Sequence, residues 1–96
     1  MIRAEFKGVV IAEADATVEV EGNHYFPPDS LRREHLVATD RHTTCPWKGE
    51  ASYYDVVVGG EQAANAAWHY PEPKDGAAEI RDHVAFYAPP VTVSTR

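Results

Sequence analysis

The stretch Ala51-Ser52-Tyr53-Tyr54-Asp55-Val56-Val57-Val58-Gly59-Gly60-Glu61-Gln62-Ala63-Ala64-Asn65-Ala66-Ala67-Trp68-His69-Tyr70 decides the fold. Its first half is rich in β-branched and aromatic residues, and Gly59-Gly60 has the composition of a tight hairpin turn. The second half has a rival reading, because residues 61–68 hold four alanines and alanine is the best helix former. Eight residues without an amphipathic stripe make a weak helix, so the hairpin is preferred. A two-residue turn sets Val58 opposite Glu61, Tyr53 opposite Ala66 and Ala51 opposite Trp68. Ala51, Tyr53, Ala66, Trp68 and Tyr70 then share one face of the ribbon, and Tyr54, Val56 and Val58 the other. Both faces are largely apolar. This predicts a central hairpin with one face in the core and the other lining a cavity.

Upstream, Gly8-Val9-Val10-Ile11-Ala12 reads as a strand, and Thr17-Val18-Glu19-Val20-Glu21 alternates strictly, with Val18 and Val20 facing inward. Gly22-Asn23 has the composition of a two-residue turn, which places Glu21 opposite His24 and Val20 opposite Tyr25. Pro27-Pro28 ends that strand, and residues 28–34 suit one or two helical turns anchored by Leu31 and Leu36. Residues 37–46 are polar and rich in threonine, and read as an irregular loop or a short edge strand. Downstream, residues 76–82 suit another short helix, and Val84-Ala85-Phe86-Tyr87 and Val91-Thr92-Val93 supply closing strands. The expected fold is mainly β: one small domain over residues 1–96, an antiparallel sheet with one or two short helices.

The 96 residues suffice for one core. Nine Lys and Arg stand against 15 Asp and Glu, a formal charge of -6, so a phosphate backbone is repelled on average and no nucleic-acid partner is expected. A single cysteine, Cys45, rules out an internal disulfide, and the opening residues contain no apolar run resembling a signal peptide. Both features fit a reducing cytoplasm. No stretch approaches the roughly 20 apolar residues of a membrane span; the oligomeric state stays open, and a structural or homo-oligomeric interaction domain is a third reading beside a small-molecule binding module and an enzyme using Cys45.

Chemically useful side chains are densest over residues 43–54. Cys45 is followed by Pro46, Trp47 and Lys48, half of a redox motif with an amine where a second cysteine would resolve a disulfide. The Lys48 ammonium and the His42 imidazole are placed to lower the thiol pKa and make Cys45 a nucleophile; the alternative is a buried, inert cysteine. Lys48 has two readings as well: pairing with a carboxylate such as Glu50 or Asp55, or attracting an anionic ligand group at the mouth of a cavity. Trp47, Tyr53, Trp68 and Tyr70 are core residues on the simplest reading. On the functional one they line a pocket with Lys48, Thr43, Thr44 and His42 as its polar groups. The five histidines show no metal-ligand spacing, so neither metal nor cofactor is implied. The candidate catalytic pair is Cys45 and Lys48, and the candidate ligand-binding set is Thr43, Thr44, Trp47, Lys48, Tyr53, Trp68 and Tyr70.

Taken together, Tyr25-Phe26-Pro27-Pro28, the run Thr43-Thr44-Cys45-Pro46-Trp47-Lys48-Gly49-Glu50-Ala51-Ser52-Tyr53, Ala67-Trp68-His69-Tyr70-Pro71 and Val84-Ala85-Phe86-Tyr87 resemble the domain-of-unknown-function 427 family across nearly the whole chain. Thr39 stands where that family usually has serine, so the hydroxyl is kept. The resemblance implies a small β-tent-like domain, akin to methionine sulfoxide reductase B and the cereblon ligand-binding domain, and no established activity. Related folds often hold zinc through paired Cys-x-x-Cys motifs, which this chain lacks. The nucleotidyltransferase label sometimes attached to the family finds no phosphate loop or spaced metal-binding aspartates here.

Overall fold

The structure, a computed structural model, describes residues 1–95. Three antiparallel sheets make it mainly β. Strands β1 (Ile2–Phe6), β2 (Val9–Ala14) and β9 (Thr92–Thr95) form one sheet in the order β2-β1-β9. A small ribbon joins β3 (Val18–Val20) to β4 (Asn23–Tyr25). The third sheet carries β5 (Leu36–Cys45), β6 (Gly49–Val58), β7 (Glu61–His69) and β8 (Val84–Phe86) in sequential order. The helical content consists of short 3-10 turns at Pro28–Ser30, Arg33–His35 and Asp75–Ile80, and among the described residues no helix is long and apolar enough to cross a membrane.

The four-stranded sheet has apolar residues on both faces, and each face closes a separate core. On one side Val56, Ala67, Val84 and Phe86 pack against Ala4, Phe6 and Ile11 of the first sheet and against Phe26. Phe26 and Phe86 meet edge-on at 5.6 Å, a geometry worth about 0.5–1.5 kcal/mol beyond the area it buries. On the other side Ala51, Tyr53, Trp68, Tyr70 and Ala85 pack with Tyr25, Ala77 and Ile80. The second face is the one that carries the site.

The central hairpin forms as expected, and residues 61–68 are strand rather than helix. Val58 opposes Glu61 across the turn, with Gly59 at φ +58°. The register then shifts. Val56 opposes Ala63 but Tyr54 opposes Ala67, so β7 carries two extra residues. Asn65 adopts φ 51°, its N–H donates to Asp55 Oδ1 at 2.7 Å, and its Oδ1 accepts from Thr39 Oγ1 at 2.7 Å. Gln62 Nε2 donates to the other Asp55 oxygen at 2.6 Å. The aspartate thus satisfies backbone and side-chain donors that a bulge would otherwise strand. In consequence Tyr53 faces Trp68, not Ala66, and the small residue opposite Trp68 is Ala85 of β8 rather than Ala51. The bulge carries Ala66 to the other face, where it joins Val56 and Ala67 in the first core, while Ala51, Tyr53, Trp68 and Tyr70 share the second face as the alternation predicts.

Two other expectations need correction. Residues 37–46 are neither loop nor short: Leu36–Cys45 is a ten-residue edge strand, paired with β6 along its length and bulged between Ala38 and His42. Threonine is a good strand former, which accounts for a polar strand at an edge. The β3–β4 turn is Glu21-Gly22, not Gly22-Asn23, so Val18 opposes Tyr25, Glu19 opposes His24 and Val20 opposes Asn23. Glu21 is therefore at the tip of the ribbon, at φ 55° beside Gly22 at φ 80°.

Candidate functional site

Between Cys45 and Gly49, which oppose each other at the end of β5 and β6, the chain turns through Pro46, Trp47 and Lys48. Gly49 sits at φ +112°, and a Cβ there would lie 3.3 Å from the carbonyl oxygen of Glu72. Glycine is required both for the conformation and for this approach. The Lys74 N–H donates to the Lys48 carbonyl at 2.9 Å and Lys74 Nζ donates to the Pro46 carbonyl at 2.8 Å. The turn is thus tied to the following loop, and Lys48 projects from a fixed base.

Lys48 is only 5% exposed, the one charged side chain in the described core. Its ammonium donates to the Glu21 carboxylate and lies over the Trp47 ring at 4.8 Å and the Tyr70 ring at 5.8 Å. A buried ammonium is costly unless paired. Burial pushes its pKa down, but the Glu21 bond and the neighbouring Tyr70 and Cys45 outweigh it, and the ammonium is held above its ordinary value. Correspondingly, the Lys48 hydrogen bond holds the Glu21 carboxyl low. The partner is therefore Glu21 and neither of the two expected carboxylates. Glu50 lies 3.9 Å from His42, and Asp55 is occupied by the bulge.

Lys48 and Glu21 stand at the wall of a cavity of about 560 Å³. Its aromatic lining is Tyr25, Tyr53, Trp68, Tyr70 and Tyr87, completed by Gly22, Asn23, Phe86 and Ala88, the Phe86 ring itself packing against Phe26 in the other core. The rings brace one another. Trp68 meets Tyr25 edge-on at 6.2 Å and Tyr87 at 4.6 Å, and its Nε1–H donates to the Tyr25 hydroxyl at 3.1 Å. The Tyr53 hydroxyl shares a 2.8 Å hydrogen bond with Thr43 Oγ1, while Arg41 covers the Tyr53 ring at 5.1 Å. Burial raises the phenols of Tyr25 and Tyr87, and that of Tyr70 is pushed up to about 12 by burial and by its neighbour Tyr25. These phenols stay neutral at physiological pH.

Of the residues singled out for ligand binding, Lys48, Tyr53, Trp68 and Tyr70 come together at this cavity. The others do not line it. Trp47 is 43% exposed and lies against the Lys48 ammonium, Thr44 is exposed opposite Glu50, and Thr43 reaches the site through the Tyr53 hydroxyl. His42, placed near Cys45 by spacing alone, bonds Ser52 Oγ at 3.2 Å. Cys45 is half-buried behind Lys48. Burial acts to raise its thiol pKa, but the backbone N–H groups of Lys48 and Trp47 and the Lys48 ammonium outweigh this and hold it below the ordinary value. Glu21, Tyr25 and Tyr87 complete the site and were not singled out as site residues by sequence. The signal for Tyr25 was its pairing with an inward-facing valine, which reads equally as core.

Fold and site define a small antiparallel-sheet domain holding an aromatic cavity with one buried lysine in its wall. A family model described as Domain of unknown function (DUF427) matches residues 1–96, and the chain belongs to that family. No curated protein matches it.

Proposed function

We propose that this chain is a binding module that takes a small molecule into the cavity lined by Tyr25, Lys48, Tyr53, Trp68, Tyr70 and Tyr87. The observation that carries the reading is the combination of a cavity of about 560 Å³ with a buried ammonium in its wall. Ligand sites are concave and mostly apolar, with a few placed polar groups that fix orientation, and volumes run from roughly 300 to 1,000 Å³. Thermal unfolding against a metabolite library tests this: a true ligand raises the melting temperature in a concentration-dependent way. A shift retained in Trp68→Ala, or no shift with any compound, would count against the cavity as the site.

A second reading rests on Cys45, whose thiol is held below its ordinary value beside the Lys48 ammonium: an enzyme using Cys45 as nucleophile with Lys48 tuning it. Iodoacetamide alkylation across pH is the check. The reading expects an inflection below the ordinary thiol range that moves up in Lys48→Met; an unreactive thiol, or one unmoved by the substitution, removes it.

A further inference from the structure

Among the described residues lining the cavity, the charged side chains are Lys48 and Glu21, and they are held very differently. Lys48 stands on a turn fixed at its base by two hydrogen bonds from Lys74 and backed by two aromatic rings. Glu21 comes from the tip of a ribbon whose strands are three residues each, and its side chain is 53% exposed. It also occupies a left-handed conformation, φ 55°, which L-residues other than asparagine and aspartate rarely adopt, and which asparagine or glycine would accept with less strain. Lys7 before Gly8 has the same pair of angles, 52° and 79°, so this conformation is that of a two-residue hairpin turn.

Resting on the binding-module reading, we infer that Glu21 is an internal stand-in for the acid group of the ligand. The ligand is a small carboxylic acid on a flat apolar body. Its carboxylate takes the place of the Glu21 carboxylate on the Lys48 ammonium, and its ring enters among Tyr25, Trp68 and Tyr87. Exchange of one carboxylate for another keeps the buried ammonium paired throughout, so the uncompensated buried charge that breaking such a pair creates never arises. The neutral phenols add no competing charge. Release of Glu21 frees the ribbon tip, so the same contact that fills the site in the free protein also reports its occupancy. Because the free protein satisfies Lys48 internally, ligand affinity is reduced by the fraction of molecules in which Glu21 occupies the ammonium.

The test uses 2-naphthoate and its uncharged counterpart 2-naphthamide, titrated by tryptophan fluorescence into the wild-type chain, Glu21→Gln and Glu21→Asn. The asparagine variant removes the charge while suiting the left-handed turn position, so a folding defect in the glutamine variant leaves the experiment intact. The expected result is that naphthoate binds both variants at least about tenfold more tightly than wild type, and that naphthamide binds weakly and equally to all three. Naphthamide matching naphthoate in every protein overturns the inference while leaving the cavity a binding site. Naphthoate weakened or unchanged by removal of Glu21 also overturns it, and failure of both probes on all three proteins counts against the inference and the binding module together.

Discussion

Removing one oxygen, in Tyr25→Phe, tests whether the aromatic wall is a preorganised dry scaffold. Tyr25 is 1% exposed, and its hydroxyl accepts the Trp68 Nε1–H at 3.1 Å. Phenylalanine keeps the ring and its edge-on contact with Trp68 at 6.2 Å, so the loss falls on the hydrogen bond. Stranding a buried donor costs its desolvation, about 1–3 kcal/mol. For a chain of this length, about 1.5 kcal/mol corresponds to a melting-temperature drop of roughly 6–12 °C. The same substitution made in Trp68→Phe has no indole to strand and should cost much less, and the difference between the two backgrounds is the coupling energy. Urea and thermal unfolding of the four proteins measure it. A loss below about 0.5 kcal/mol, or equal losses in both backgrounds, refutes the reasoning: water in the cavity then satisfies the indole, and the two rings are not held as a unit.

Two further outcomes follow from the same geometry. Gly49→Ala forces an L-residue to φ +112° and brings its Cβ to 3.3 Å from the Glu72 carbonyl, so urea unfolding should show a loss of about 1–3 kcal/mol, together with weaker ligand binding because Lys48 sits one residue away. His69 supplies a pH dependence: burial holds its imidazole below the ordinary value, with Asp82 opposing, and its buried Nδ1 has no hydrogen-bond partner among the described residues. As pH falls through about 6.5 the unfolded chain takes the proton before the folded one. Stability is therefore steady above that pH and declines below it, until the pH passes the lower folded value. Urea midpoints near neutrality and near the His69 transition should show this decline, and His69→Gln should flatten it in that window.

The parts of the fold that were legible in sequence are those decided by alternation. The hairpin around Gly59-Gly60, the inward Val18 and the two-faced apolar character of β6 and β7 all follow from period-two patterning. What escaped is what alternation leaves degenerate. A slip of two residues restores the alternation beyond it, so the Glu21-Gly22 turn leaves the pattern unchanged and the bulge at Asn65 moves Ala66 to the opposite face. Their placement comes from particular hydrogen bonds: Asp55 gathering the donors of Gln62 and Asn65, and Glu21 reaching Lys48 across 27 residues of chain. The site was half visible for the same reason. Lys48, Tyr53, Trp68 and Tyr70 lie along one hairpin and the turn beside it, so local register brings them together. Glu21 and Tyr87 arrive from other elements and needed the tertiary structure. Thr44 and Trp47 were drawn in by nearness in sequence to Lys48, although one strand position or one turn residue is enough to point a side chain away.

The most direct test of the binding cavity is amide chemical-shift mapping of the labelled protein against a library of small molecules, carboxylic acids and neutral compounds alike. The account expects changes gathered at Gly22, Lys48, Trp68 and Tyr87, leaving β1 and β2 unmoved. No perturbation by any compound, or perturbations gathered on the far sheet, would contradict it.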